Sequence, residues 1–184
     1  MQIYFQSLQA IQQQTMQLDQ EQCKHCKQTQ QLVSHGFIRK KRLGGEPAVV
    51  GKRVFCSNRN NHTGCGRTVQ LYRDATLRYL HYAAAVVAAF LFALLAGVTA
   101  QRAYHQATGT AVPRNAYRWL SKVTAQLSVY RSLSHQPQLL HSSPVTAKRP
   151  LRRCVLLATV DTLRQQYGVP LCAAYQRQWQ RSFL

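Results

Sequence analysis

Cys23-Lys24-His25-Cys26 and Val54-Phe55-Cys56-Ser57-Asn58-Arg59-Asn60-Asn61-His62-Thr63-Gly64-Cys65-Gly66-Arg67-Thr68 decide how this chain is read. They hold four thiols in two pairs. In a C-x-x-C turn both sulfurs emerge on one side, and two such pairs close a tetrahedral, four-ligand metal site. The first pair is regular. The second is wide, with eight residues between Cys56 and Cys65. Either that loop bulges outward, or His62 replaces one thiol, because His62-Thr63-Gly64-Cys65 has ligand spacing of its own. The expected ligands are Cys23, Cys26, Cys56 and Cys65, with His62 in reserve. They imply one structural Zn²⁺, and a closed site leaves no position for catalysis.

Outward from the cysteines, Gln31 to Arg39 alternates as a strand, Gly44-Gly45-Glu46-Pro47 signals a turn, and Val49 to Phe55 reads as the returning strand. A hairpin between two ligand pairs is the layout of a zinc ribbon. Thr68–Tyr72 continues as a further strand. The ribbon is expected over 21–75, after a Gln-rich tail or short helix over 1–20.

Twenty-four Lys and Arg face 5 Asp and Glu, a formal charge of +19. A compact chain so charged repels itself and calls for an anionic partner: DNA, RNA or an anionic membrane. The acids Asp19, Glu21, Glu46, Asp74 and Asp161 are too scattered to converge on two metal ions, so phosphoryl-transfer chemistry is not expected and the chain is read as no enzyme. Six cysteines could form disulfides, but the C-x-x-C start, the lack of a signal peptide and the basic, intracellular character favour metal. Cys154 and Cys172 sit in apolar surroundings and read as small buried side chains.

The remainder reads as helices, making the whole α+β and mostly α. A helical domain is expected over 76–128, a Pro-rich linker over 129–150 and a helical hairpin over 151–184. Leu77 to Ala107 holds one breaker, Gly97. Within it, Leu80–Ala100 approaches the length of a bilayer span. It is Ala-rich, carries His81 and Tyr82 at one end and has basic flanks, which fits a buried central helix better than a membrane anchor. Thr108 to Pro113 is a turn with Pro opening the next helix, Pro113–Leu127, whose Ala116, Leu120 and Val123 share a side with Trp119 beside them. The pair has the form of a helix-turn-helix. Tyr175, Trp179 and Phe183 form an aromatic stripe at i, i+4, i+8, read as a face that docks on the body or on a protein partner.

Two groups of side chains suit nucleic acid. Arg39, Lys40, Lys41 and Arg42 cap the hairpin, Lys52 and Arg53 precede Cys56, and Arg59 and Arg67 lie in and after the wide knuckle. These reach phosphates or fork onto guanine edges. In the presumed recognition helix Arg114 and Asn115 stand at the end that meets base edges, and Tyr117, Arg118 and Lys122 would reach phosphates.

This order, ribbon then helix-turn-helix on a small basic chain, resembles the DNA-binding parts of bacterial insertion-element transposases. It is similar to the short zinc-ribbon/helix-turn-helix proteins such elements encode beside or ahead of their catalytic domain. The likeness rests on Cys23-x-x-Cys26, His35-Gly36, Gly51-Lys52-Arg53-Val54-Phe55-Cys56, Cys65-Gly66-Arg67-Thr68 and Tyr117-Arg118-Trp119-Leu120, and covers about residues 21–125. It departs in the long second knuckle and in the absence of an acid-rich stretch afterwards. It implies a sequence-specific, double-stranded-DNA-binding protein of a mobile element. Such a protein would regulate transcription or assist a recombinase bound through 151–184, in the cytoplasm and associated with the nucleoid. The alternatives are an RNA-binding accessory of a ribonucleoprotein and a single-span membrane-anchored protein.

Overall fold

The computed structural model describes residues 1–41, 46–134 and 151–184. The fold is α+β, with seven α-helices and one four-stranded mixed sheet among the described residues. The chain divides into two compact units, Met1–Ala83 with Ala173–Phe183, and Ala84–Cys172 with Leu184.

The first unit is built on the sheet. β2 (Leu32–Lys41) and β3 (Pro47–Cys56) form the expected hairpin, in antiparallel register from Leu32↔Cys56 to Lys41↔Pro47. β4 (Thr68–Arg73) lies antiparallel to β3. The Gln-rich start is not a tail. It opens as β1 (Gln2–Phe5), parallel to β4, and continues as α1 (Leu8–Met16), capped by Ser7 Oγ accepting from the Ala10 N–H. Apolar residues on the two sheet faces form two small cores. On one face Ile11 and Leu18 pack with Leu32, Val54, Val69 and Leu71, and Cys23 and Cys56 are buried in the same cluster. On the other, Tyr4, Ile38, Val50 and Tyr72 cluster, with the two tyrosine rings stacked at 6.1 Å.

The chain beyond β4 departs from the helical reading of Leu77 onward. Thr76 pairs with Ala83 as an isolated β-bridge, Tyr79 is left-handed and Leu77 is fully buried, so residues 77–83 form a fold-back and not a first helical turn. High Ala and Leu content favours helix locally, but here burial of Leu77 and the bridge override it.

C-terminal residues complete this unit. α7 spans Leu171–Trp179, and from Ala173 onward the chain belongs with the sheet. Gln176 is fully buried. Its Nε2 donates to the Asp74 and Thr76 carbonyls, and its Oε1 accepts from the Phe183 N–H. Gln180 meets the free edge of β1, accepting from the Tyr4 N–H and donating to the Tyr4 carbonyl. The aromatic stripe is therefore not one helical face. The helix stops at Trp179, Gln180 is left-handed, and Phe183 turns back to meet Tyr175 edge-on at 5.4 Å, both rings buried.

The second unit is helical. α2 (Ala84–Leu95) is apolar all round, as a buried central helix should be. It ends in a Schellman turn, with the Val98 N–H on the Ala93 carbonyl and Gly97 left-handed. The apolar run is thereby cut short, and no helix among the described residues is long and apolar enough to cross a membrane. α3 (Ala100–Thr108) ends at left-handed Gly109, and α4 (Pro113–Ala125) starts on its proline. Phe90, Tyr104 and Trp119, one ring from each of α2, α3 and α4, meet edge-to-face at 5.0–6.4 Å. α5 (Leu127–Leu133) follows directly, so the linker expected over 129–150 begins instead as helix, and 135–150 lie outside the described residues. α6 (Leu151–Tyr167) packs on α2 and α5. Cys172 is buried as expected, and burial pushes its thiol well up, while Cys154 is half-buried.

Candidate metal centre and nucleic-acid interface

The hairpin brings both cysteine pairs to one end of the sheet. The ligand atoms of Cys23, Cys26, Cys56 and Cys65 all lie within 4.8 Å of one another, and this group can hold one metal ion. Sulfurs from different pairs face each other, Cys23 to Cys65 and Cys26 to Cys56, each at 3.7 Å. His62 is not in the group, so the reserve ligand is not needed for four-fold coordination.

The backbone shows why the wide second pair still closes. In the first knuckle the Cys23 N–H donates to the Gln28 carbonyl, the Lys27 N–H donates to the Cys23 carbonyl, and Lys27 is left-handed. In the second the Cys56 N–H donates to the Arg67 carbonyl, the Gly66 N–H donates to the Cys56 carbonyl, and Gly66 is left-handed. The two patterns coincide once residues 58–63 are skipped. What remains is Cys56-Ser57 joined to Gly64-Cys65, an ordinary C-x-x-C knuckle, and the joint is a hydrogen bond from the Gly64 N–H to the Ser57 carbonyl at 2.7 Å. Gly64 has no room for a side chain, since a Cβ would run into Cys56 Sγ and the Ser57 carbonyl. Gln31 ties this joint to the start of β2. Its carbonyl accepts from the Ser57 N–H, and its Oε1 accepts from the Thr63 N–H.

The thiols differ in acidity. Burial raises Cys23, but the Cys26 and His25 N–H groups and the facing thiols outweigh it and bring it down to about 7. Burial and the neighbouring thiols push Cys56 up to about 12, against the pull of the Cys65 N–H. A metal ion held by this set would take the place of the thiol protons.

The cationic residues proposed from sequence fall into three kinds. Arg39, Lys41, Arg53, Arg59 and Arg67 are exposed, and Arg67 Nη1 lies 3.1 Å from His25 Nδ1 beside the metal centre. Lys40 and Lys52 are turned onto the chain. The Lys40 ammonium donates to the Leu77 carbonyl, and that of Lys52 donates to Thr15 Oγ1 above the Phe37 ring. Arg42 lies outside the described residues. On α4, Ala116, Trp119 and Val123 are buried while Arg114, Arg118 and Lys122 are exposed at four-residue spacing, one stripe along the outer face. Asn115 instead donates to the Tyr104 hydroxyl, and Tyr117 lines a groove of about 500 Å³ with Leu94, Leu120, Leu156 and Leu157.

Three residues of the centre carried too little pattern to be picked from sequence, namely Gln31, Gly64 and Gly66. The glycines on both sides of Cys65 were the available signal. Read with the spacing of Cys23-x-x-Cys26, they mark where a knuckle resumes after an insertion. No protein family, curated protein or solved structure matches this chain.

Proposed function

We propose that this chain is a sequence-specific, double-stranded-DNA-binding protein associated with a mobile element, a transcription regulator or transposition accessory held together by one structural Zn²⁺. The single observation carrying the reading is the Arg114, Arg118 and Lys122 stripe. It lies on the helix that follows a short Gly109 turn, and its opposite face is anchored in the aromatic cluster. That is the arrangement by which a helix-turn-helix presents cations to a groove. Zinc is favoured by the donor set. Four thiolates at about 2.3 Å from Zn²⁺ stand about 3.8 Å apart along a tetrahedral edge, close to the 3.7 Å between facing sulfurs. The mobile-element assignment rests on the ribbon-then-helix order and on the residues of the resemblance.

The test uses the full chain carrying its metal. Duplex DNA and structured RNA compete at matched salt, and zinc is measured on the same preparation. Duplex preference is expected, with one zinc per chain and affinity falling steeply with salt. Arg114→Ala should relax sequence preference, whereas Lys122→Ala should weaken all duplexes alike. Winning RNA, or equal effects of both changes on every sequence, overturns the reading.

A further inference from the structure

The six residues skipped by the second knuckle, Asn58 to Thr63, supply none of the four ligands and none of the hydrogen bonds that the two knuckles share. Each knuckle hydrogen bond has its counterpart without them, and the joint closes between Ser57 and Gly64. Yet the segment is firmly shaped. The Arg59 N–H donates to Ser57 Oγ, whose hydroxyl donates back to the Arg59 carbonyl. The His62 N–H then donates to the Arg59 carbonyl across Asn60 and Asn61, both left-handed, which is the pattern of a type I′ turn. Thr63 is pinned by Gln31 Oε1. Asn is the residue besides Gly that takes this conformation with least strain.

A shaped, exposed loop outside the ligand set is suited to recognition. Asn58, Arg59, Asn60 and Asn61 are all exposed. Arg pairs bidentately with guanine and Asn with adenine in the major groove. No acidic residue lies between Pro47 and Arg73 to repel a nucleic acid. One cation among six residues also fits base reading better than phosphate gripping.

We infer that Asn58–Thr63 is a base-reading finger for duplex DNA, inserted into the second knuckle and set at its base by the metal centre. This rests on the DNA-binding reading and assigns it a second reading element besides α4. Because the metal holds only the neck, the finger is removable in one piece.

The test deletes residues 58–63, joining Ser57 to Gly64 in the full metal-loaded chain. The probes are duplexes selected by the wild-type chain from a random library, and unselected random duplex. The deleted chain should keep its metal equivalent and bind random duplex with a salt slope close to that of the wild-type chain. Its preference for selected over random duplex should fall about tenfold or more. A second variant, Arg59→Ala with Asn60→Gly and Asn61→Gly, keeps the left-handed turn and should lose the same preference. Unchanged preference in that second variant overturns the finger. Loss of metal on deletion overturns the separateness of loop and knuckle, and the substituted chain still decides the contact. A wild-type chain that binds no duplex sinks the DNA-binding reading itself, a result distinct from either.

Discussion

Burial lifts the Asp74 carboxyl above its ordinary value, against the pull of the Arg177 guanidinium 3.0 Å away. A raised carboxyl keeps its proton to higher pH in the folded chain than in the unfolded one. Across that window the folded state binds more protons, so stability falls as pH rises through it. Only four other acids share the chain, which leaves this slope readable. Asp74→Asn should flatten it in thermal unfolding followed through the acid range, and an unchanged slope would refute the assignment. Gln176 and Gln180 make comparable tertiary bonds, yet nothing in the sequence marks them. They are two glutamines among many, and Asp74, Thr76 and Tyr4, which they bond, lie 100 to 176 residues away in sequence. The four cysteines were legible because ligand spacing is a local constraint; partner choice by a buried amide is not.

At the scale of elements, α4 depends on one ring. Trp119 touches both Phe90 and Tyr104, and its loss opens a cavity where three helices meet. Trp119→Ala should cost about 3–5 kcal/mol, read as an earlier melting of the helical unit with the cationic stripe no longer held. A loss within ~0.5 kcal/mol, the size of an ordinary surface substitution, would show that the cluster does not anchor α4. The end of α3 and the start of α4 could be read from Gly109 and Pro113, and the hairpin from alternation and its turn. β1 escaped notice because four residues in a Gln-rich stretch alternate too briefly, and its parallel partner β4 is remote in sequence. The fold-back at 77–83 escaped because its Leu and Ala neighbours favour helix locally. The tetrad was legible, and so was the exposed stripe on α4. The inward turn of Lys40 and Lys52 was not, since a lysine's stem can follow an apolar surface in either direction.

For the whole molecule, the two units should answer differently to metal removal. Cys23 and Cys56 are buried in the core between the sheet and α1, so the ion would cross-link that small core. Chelation should abolish amide protection over 21–73 while leaving protection in α2, α3 and α4, as read by hydrogen exchange. Retained protection over 21–73 would show that the ion is dispensable for folding. Sequence order adds a further condition. The sheet unit is made of the first 83 residues and of Ala173–Phe183, with the helical unit intervening between them. The outer edge of β1 gains its Gln180 partner only from this late segment. A nascent or truncated chain ending before α7 presents that edge, and with it the Asp74 and Thr76 carbonyls, to any other strand it meets. Ala173–Phe183 thereby keeps the edge of the strand at Gln2–Phe5 from other chains.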